Sequence, residues 1–343
     1  MKNFYIISFL VLVILSDNLL SQSDAVSKVG TTAAAFLEIP VGAPAVGVGG
    51  AFVSIANDAS ALYWNVGSIS TLGKFDVQLT HMEWIGETKF NFVGIVLPLA
   101  EFGTLGFSFT SLSMDDMLVR TVEQPEGTGE YFSAGNIAIG LSYARNLTER
   151  FSIGITAKYV SEEIWHMQSQ GWAIDAGTIF KTDILGGMII GAAISNFGTS
   201  MALSGRDTRY FIRVDETKTG SSESIPTNIE MDSWDLPLNF RIGVSTNAVN
   251  TDNYRFTMAV DAIHPNNDYP SMNVGAEFAF MEIFMLRGGY NALFLTDAEG
   301  GLSLGVGLSS QMLFSEAIVQ FDYAYRDFGR LQNVHQFSLE FKF

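Results

Sequence analysis

The chain has 343 residues, of which 48% are hydrophobic and 13% aromatic but only 16% charged, well under the roughly 25% of ordinary soluble domains. A formal charge of −17 argues against a nucleic-acid partner, which needs a basic footprint, and the absence of cysteine excludes disulfides, thiolate metal sites and cysteine nucleophiles. The only long unbroken apolar run lies at the extreme N-terminus, which excludes a polytopic helical membrane protein; with 33 Gly and 27 Phe, the remainder suggests a β-barrel whose outer wall faces lipid.

Met1 to Ser21 reads as a secretory signal peptide. Lys2 gives the positive n-region, Phe4 to Leu15 an apolar core of 12 residues, and Ser21 a small residue at the cleavage point. Twelve residues are too few to cross about 30 Å of hydrocarbon as a helix. The mature chain is expected to begin near Gln22.

Gln22 to Gly73 lacks strand alternation. Gly30 to Gly50 is rich in Gly and Ala, with Pro40 and Pro44, and Ala56 to Asn65 can form a short helix capped by Asn57 or Asp58. Residues 22–72 are therefore expected to fold inward as a plug. Gly47-Val48-Gly49-Gly50 is no dinucleotide loop, since it lacks the third glycine and a preceding strand.

From Phe75 onward one pattern recurs. In Phe151 to Tyr159 the residues Phe151, Ile153, Ile155, Ala157 and Tyr159 oppose Ser152, Gly154, Thr156 and Lys158. Successive strand side chains point to opposite faces, so this is one apolar and one polar wall. Tyr254 to Ala262, Leu302 to Leu308, Ala317 to Tyr325 and His335 to Phe343 repeat it. The polar faces are rich in Gly, Ser, Thr and Asn, as in a lumen, and Trp84, Trp234, Tyr254 and Tyr325 sit near strand ends, where interface girdles belong.

About fourteen strands are expected: 73–84, 87–99, 102–113, 131–145, 148–162, 171–182, 187–198, 234–246, 253–264, 269–280, 283–291, 299–309, 316–326 and 334–343. An even number closes a single-chain barrel with both termini on one side. The long connections, Met114 to Glu130, Glu163 to Gly171, Gly198 to Ser233 and Arg326 to Val334, then all fall on the outward side. The fold class is an all-β transmembrane antiparallel barrel with a small N-terminal plug: signal peptide 1–21, plug 22–72, barrel 73–343. Only Pro237 is expected inside a strand, close to its start.

The run Gly42-Ala43-Pro44-Ala45-Val46-Gly47-Val48-Gly49-Gly50-Ala51-Phe52 through Ala61-Leu62-Tyr63-Trp64-Asn65 resembles the opening of the PorV/PorQ family of outer-membrane proteins, itself similar to the FadL-type long-chain fatty-acid channels. Gly171-Trp172-Ala173-Ile174-Asp175-Ala176-Gly177 and Leu286-Arg287-Gly288-Gly289-Tyr290 resemble its strand signatures. The chain departs where the family continues with Pro-Ala-Gly-Leu, having Val66-Gly67-Ser68-Ile69. The resemblance implies a fourteen-stranded barrel with an N-terminal plug and, through the best-known members, a part in type IX secretion and the attachment of cargo at the cell surface.

No catalytic constellation emerges. The histidines at 81, 166, 264 and 335 lack metal-ligand spacing on a common element, no cofactor motif is present, and the chain reads as a non-enzyme. Its expected surroundings are outer-membrane lipid and the barrel-assembly machinery, for which Phe337, Leu339, Phe341 and Phe343 resemble the terminal signal. Two functions follow. A secretion component would meet cargo proteins or other secretion components through the loop 198–233. A FadL-like channel for hydrophobic small molecules would use a pocket between plug and lumen at Phe36, Leu37 and Phe52. Tyr63, Trp64 and Asn65 mark the turn from plug to first strand, with Trp64 expected to wedge against the wall and Asn65 to close the turn.

Overall fold

A computed structural model describes residues 29–343 except 185–186, 214–223, 296–297, 299, 311–316 and 332. The expected signal peptide lies outside the described residues. No helix among them is long and apolar enough to cross a membrane.

The wall is a closed ring of fourteen antiparallel strands. In chain order they are β1 (Asp76–Trp84), β2 (Thr88–Pro98), β3 (Thr104–Ser113), β4 (Ala134–Asn146), β5 (Phe151–Ile164), β6 (Met167–Lys181), β7 (Ile189–Gly198), β8 (Asn239–Asn250), β9 (Tyr254–Pro265), β10 (Ser271–Phe280), β11 (Phe284–Leu293), β12 (Leu302–Ser309), β13 (Ile318–Asp327) and β14 (Asn333–Lys342). Each pairs with its neighbours in sequence, and β14 returns to β1 in a register running from Asp76 opposite Lys342 to Met82 opposite Gln336. Closure leaves no unpaired edge, which is what a strand structure in hydrocarbon requires.

Alternation sorts the residues between lipid and lumen. Along β12, Leu302, Leu304, Val306 and Leu308 are exposed while Ser303, Gly305, Gly307 and Ser309 are buried. Large apolar side chains thus cover the outside, among them Phe107, Ile155, Trp172, Phe240, Phe278 and Phe321, while Gln78, Thr156, Arg241, Arg287, Asp322 and Glu340 are buried inside. The inversion relative to a soluble domain marks a membrane-spanning barrel.

Two expectations are corrected. The expected outward loop Glu163 to Gly171 is a tight turn at Trp165-His166, Trp165 having φ of 51°, and β5 and β6 stay paired to Ile164 and Met167. At the start of β6 the exposed positions are polar, Gln168 and Gln170, so the apolar/polar alternation that marks strands is missing from the sequence there. Pro237 lies ahead of β8, which starts at Asn239; its carbonyl accepts from Asn196 Nδ2 at 3.0 Å. A short ribbon of residues 209–213 and 224–228 stands within the longest outward loop.

Candidate functional site

Residues 33–72 fill the lumen and contribute much of the buried apolar cluster, including Val41, Val48, Phe52, Trp64 and Ile69. The segment begins at the outward end, where the Ala33 amide donates to Asp235 O and the Ala34 amide to Glu162 Oε1 at 3.0 Å. It ends at the opposite mouth, where Ser70 Oγ donates to Asn146 Oδ1 at 2.7 Å. The helical content is small, Ala43–Gly47 and Ala61–Trp64, with 3-10 turns at Ala35–Glu38 and Val66–Thr71. Glycine and proline density prevents anything longer.

A chain without regular ladders must find other partners for its backbone, and the polar inner wall supplies them. Asp261 of β9 accepts from the amides of both Phe52, at 2.8 Å, and Val53, at 2.9 Å. Ser338 of β14 accepts from the Ala43 amide at 2.8 Å. Gln336 Nε2 donates to Pro40 O at 3.1 Å, and Lys342 Nζ to Asn57 O at 3.1 Å. Inner-wall glycines let the two backbones meet: a side-chain carbon on Gly289 or Gly275 would overlap the Val48 carbonyl, and one on Gly177 the Asn65 amide oxygen. Close approach, not flexibility, accounts for Gly177 and Gly289 of the two strand signatures.

Tyr63, Trp64 and Asn65 lie together at the centre. Trp64 is buried, its Nε1 donates to Val41 O at 2.7 Å, and its ring meets Phe52 edge-on at 6.0 Å and Tyr63 at 5.1 Å. The Arg241 guanidinium, projecting from β8, lies 4.9 Å over the Trp64 ring. Asn65 is fully engaged: Oδ1 accepts from the Gly67 amide at 3.1 Å, capping the following turn, while Nδ2 donates to Val53 O at 2.9 Å and to Thr178 O of β6 at 3.0 Å. One side chain thus ties two parts of the plug to the wall.

Burial raises the Asp58 carboxyl to about 7, with the nearby Glu340 charge adding to the effect; its Oδ1 accepts from the Ser60 amide at 2.9 Å and from the Ser60 hydroxyl. Burial also raises the Glu38 carboxyl above its ordinary range, against a hydrogen bond from Asn267.

Of the three residues expected to line a pocket, Phe36 and Leu37 come together, with Leu62, Phe92 and Ala138, around a crevice of about 20 Å³. Phe36 also borders an outward-facing vestibule of about 400 Å³ with Ile39, Pro40, Trp84, Leu112 and Phe328. Phe52 is elsewhere, packed on Trp64. Phe337, Leu339, Phe341 and Phe343 lie along β14 and its end, Phe337 and Phe343 exposed and Phe343 beside Phe75.

Strand β7 leaves the wall at one point. Its pairing with β8 stops at Ser195 opposite Asn239, Asn196 adopts φ of 63°, and Phe197 and Gly198 stay with β6 across an irregularity at Ile174/Ala176. A buried network holds the bend: the Asn196 amide donates to Asp175 Oδ1 at 2.7 Å, and Lys158 Nζ reaches both Asn196 Oδ1 and Asp175 Oδ2 at 2.8 Å. Sequence reading passed over Asp261, Arg241 and Lys158. Each reads as one polar residue on a lumen face, and only the distant partner distinguishes it. No group of His, Asp and Glu among the described residues could hold a metal ion.

The chain matches no family model and no curated protein. Among solved structures it is similar to a FadL homologue of Pseudomonas aeruginosa (11% identity, TM-score 0.50, covering 88% of this chain and 98% of that one). It is likewise similar to the toluene transporter TbuX of Ralstonia pickettii (12%, 0.51, 88% and 97%) and to the toluene transporter TodX of Pseudomonas putida (11%, 0.52, 88% and 97%). At these identities the likeness is one of fold: a FadL-like barrel.

Proposed function

We propose that this chain is an outer-membrane channel for hydrophobic small molecules. Supporting the reading is the outward vestibule, lined by Phe36, Ile39, Pro40, Trp84 and Phe328, which narrows at Phe36 and Leu37 into the crevice between plug and wall. A mostly apolar recess that ends on the plug, with Glu38, Asn136 and Arg326 also on its lining, suits a solute that partitions from the outer face and leaves when the plug shifts. The bend of β7 at Asn196 offers a second way out, sideways, where the wall ladder is already interrupted. The similar solved structures include toluene transporters, which favours this function over the secretion role implied by the PorV/PorQ resemblance. That role rests on the sequence motifs at Gly42–Asn65, Gly171–Gly177 and Leu286–Tyr290.

The test is entry of toluene into vesicles carrying the purified barrel. Uptake faster than in empty vesicles, and slowed when Phe36 and Leu37 are replaced by Asn, is the expected result. Uptake equal to that of empty vesicles would overturn the channel and return the weight to secretion.

A further inference from the structure

The lipid-facing side of the wall carries a groove of about 580 Å³ that crosses β2 to β6. Two rows of outward side chains bound it in register, Leu105, Tyr143 and Ile155 on one side and Phe107, Leu141 and Ile174 on the other. Its depth has a local cause. Between Leu141 and Ile174 the second row carries Ala157, so the row drops away where a longer side chain would close it. The groove is also slanted. Leu97, on the same lining, is the second-last residue of β2 and Leu105 the second of β3, whereas Ile155 is the fifth of β5 and Ile174 the eighth from the end of β6. It therefore starts at the inward rim and climbs into the wall, the course an acyl chain takes from a headgroup at the interface.

The rim end has the chemistry of a membrane interface. Tyr143 Oη donates to Phe102 O at 2.8 Å, which fixes the ring, and Phe102 itself is 80% exposed. Arg145 follows Leu141 and Tyr143 along the outward face of β4. It forms no ion pair with any described residue, whereas Arg150, in the turn that follows, is paired to Asp183 at 2.6 Å. The acidic residues of the flanking turns, Glu101 and Glu149, are exposed and do not pair with Arg145.

We propose that this groove binds one phospholipid of the inward leaflet, with an acyl chain between the two rows and the phosphate on the Arg145 guanidinium. A guanidinium fork matches phosphate oxygens, and a cation at the rim of an apolar furrow holds a lipid by both of its ends. The volume lies within the roughly 300–1,000 Å³ of ligand pockets. A second copy of the chain fits less well. Its wall is convex, and a two-fold contact through this face presents the same patch from both sides, setting one Arg145 against the other. Lipid binding of this kind needs only the barrel and is independent of what passes through it.

The experiment is native mass spectrometry of the detergent-solubilised barrel, stripped of lipid and titrated with phosphatidylglycerol. In parallel it is titrated with diacylglycerol of the same chains, which lacks the phosphate. One phosphatidylglycerol per chain is expected at concentrations where diacylglycerol leaves the barrel bare. Arg145→Gln should weaken phosphatidylglycerol about tenfold, as loss of a charge-assisted hydrogen bond implies. Ala157→Phe, which fills the groove, should abolish the complex. Val306→Phe, the same ring placed on the outward face of β12, should leave it intact, and the heat-modifiable gel shift checks folding. Equal retention of the two lipids by the unsubstituted protein would overturn the proposal even if a variant fails to fold. So would a complex that survives Ala157→Phe or is undiminished by Arg145→Gln. A dimer in place of the lipid complex, dispersed by Ala157→Phe, would overturn it as well and assign the groove to a second copy.

Discussion

Replacing Trp64 by Ala tests whether plug and barrel are separable units. Trp64 is 3% exposed, so truncation leaves a cavity, and large-to-small changes of a buried Trp cost roughly 3–5 kcal/mol. The same change removes the hydrogen bond from Nε1 to Val41 O, strips the edge contacts with Phe52 and Tyr63, and uncovers the Arg241 guanidinium. These losses overlap in space and are not added to the cavity term. At about 1.4 kcal/mol per factor of ten, the population with the plug displaced should rise by roughly two to four orders of magnitude. The wall should not notice, because its ring of strand pairs from β1 to β14 contains no plug residue. Limited proteolysis should therefore cut residues 29–72 much faster in the variant, while the heat-modifiable mobility of the barrel is retained. Unchanged protection would show that Trp64 does not hold the plug. Loss of the folded barrel would show that wall and plug form one cooperative unit.

Two other perturbations act on the same docking. Asp261→Ala removes the carboxylate that accepts from both the Phe52 and Val53 amides; at about 1–3 kcal/mol per orphaned buried donor, those two amides should exchange with solvent far faster by hydrogen-exchange mass spectrometry, and unaltered exchange would remove Asp261 as the anchor. Asp58 makes the plug sensitive to pH: burial holds its carboxyl at about 7 against an ordinary 3.8, so the docked state favours the proton, and its stabilisation is full below about pH 4 and lost progressively as pH rises to about 7. Protease protection of the plug should fall between pH 5 and pH 8, and Asp58→Asn should flatten that profile.

How much of this was legible in the sequence depends on what enforces each feature. Lipid demands an apolar residue at every second position, so strands such as Phe151–Ile164 and Leu302–Ser309 announce themselves and their bounds fall within a few residues of expectation. The exception fits the cause: at Glu163–Gly171 the exposed positions carry Gln168 and Gln170, the apolar alternation lapses, and a two-residue turn reads as a loop. The plug obeys no period. Its course is set by single acceptors far away in the chain, Asp261 for Phe52 and Val53 and Ser338 for Ala43, and a lone Asp or Ser on a lumen face carries no mark of its partner. Phe36, Leu37 and Phe52 look alike in sequence, yet the first two line the crevice with Phe92 and Ala138 while the third packs on Trp64.

Glycine gives the intermediate case. Gly177 and Gly289 stand in motifs visible in the sequence, but the reason for them is the plug pressed against the wall, the Asn65 side chain and the Val66 amide at Gly177 and the Val48 backbone at Gly289. A residue type can thus mark that something approaches without saying what. Arg241 and Arg326 belong to the same class. As isolated cations in alternating strands they pass for ordinary lumen residues. Only the folded barrel brings both to one cavity with Tyr63 between plug and wall, while the other buried arginines, Arg255 and Arg287, pair with carboxylates.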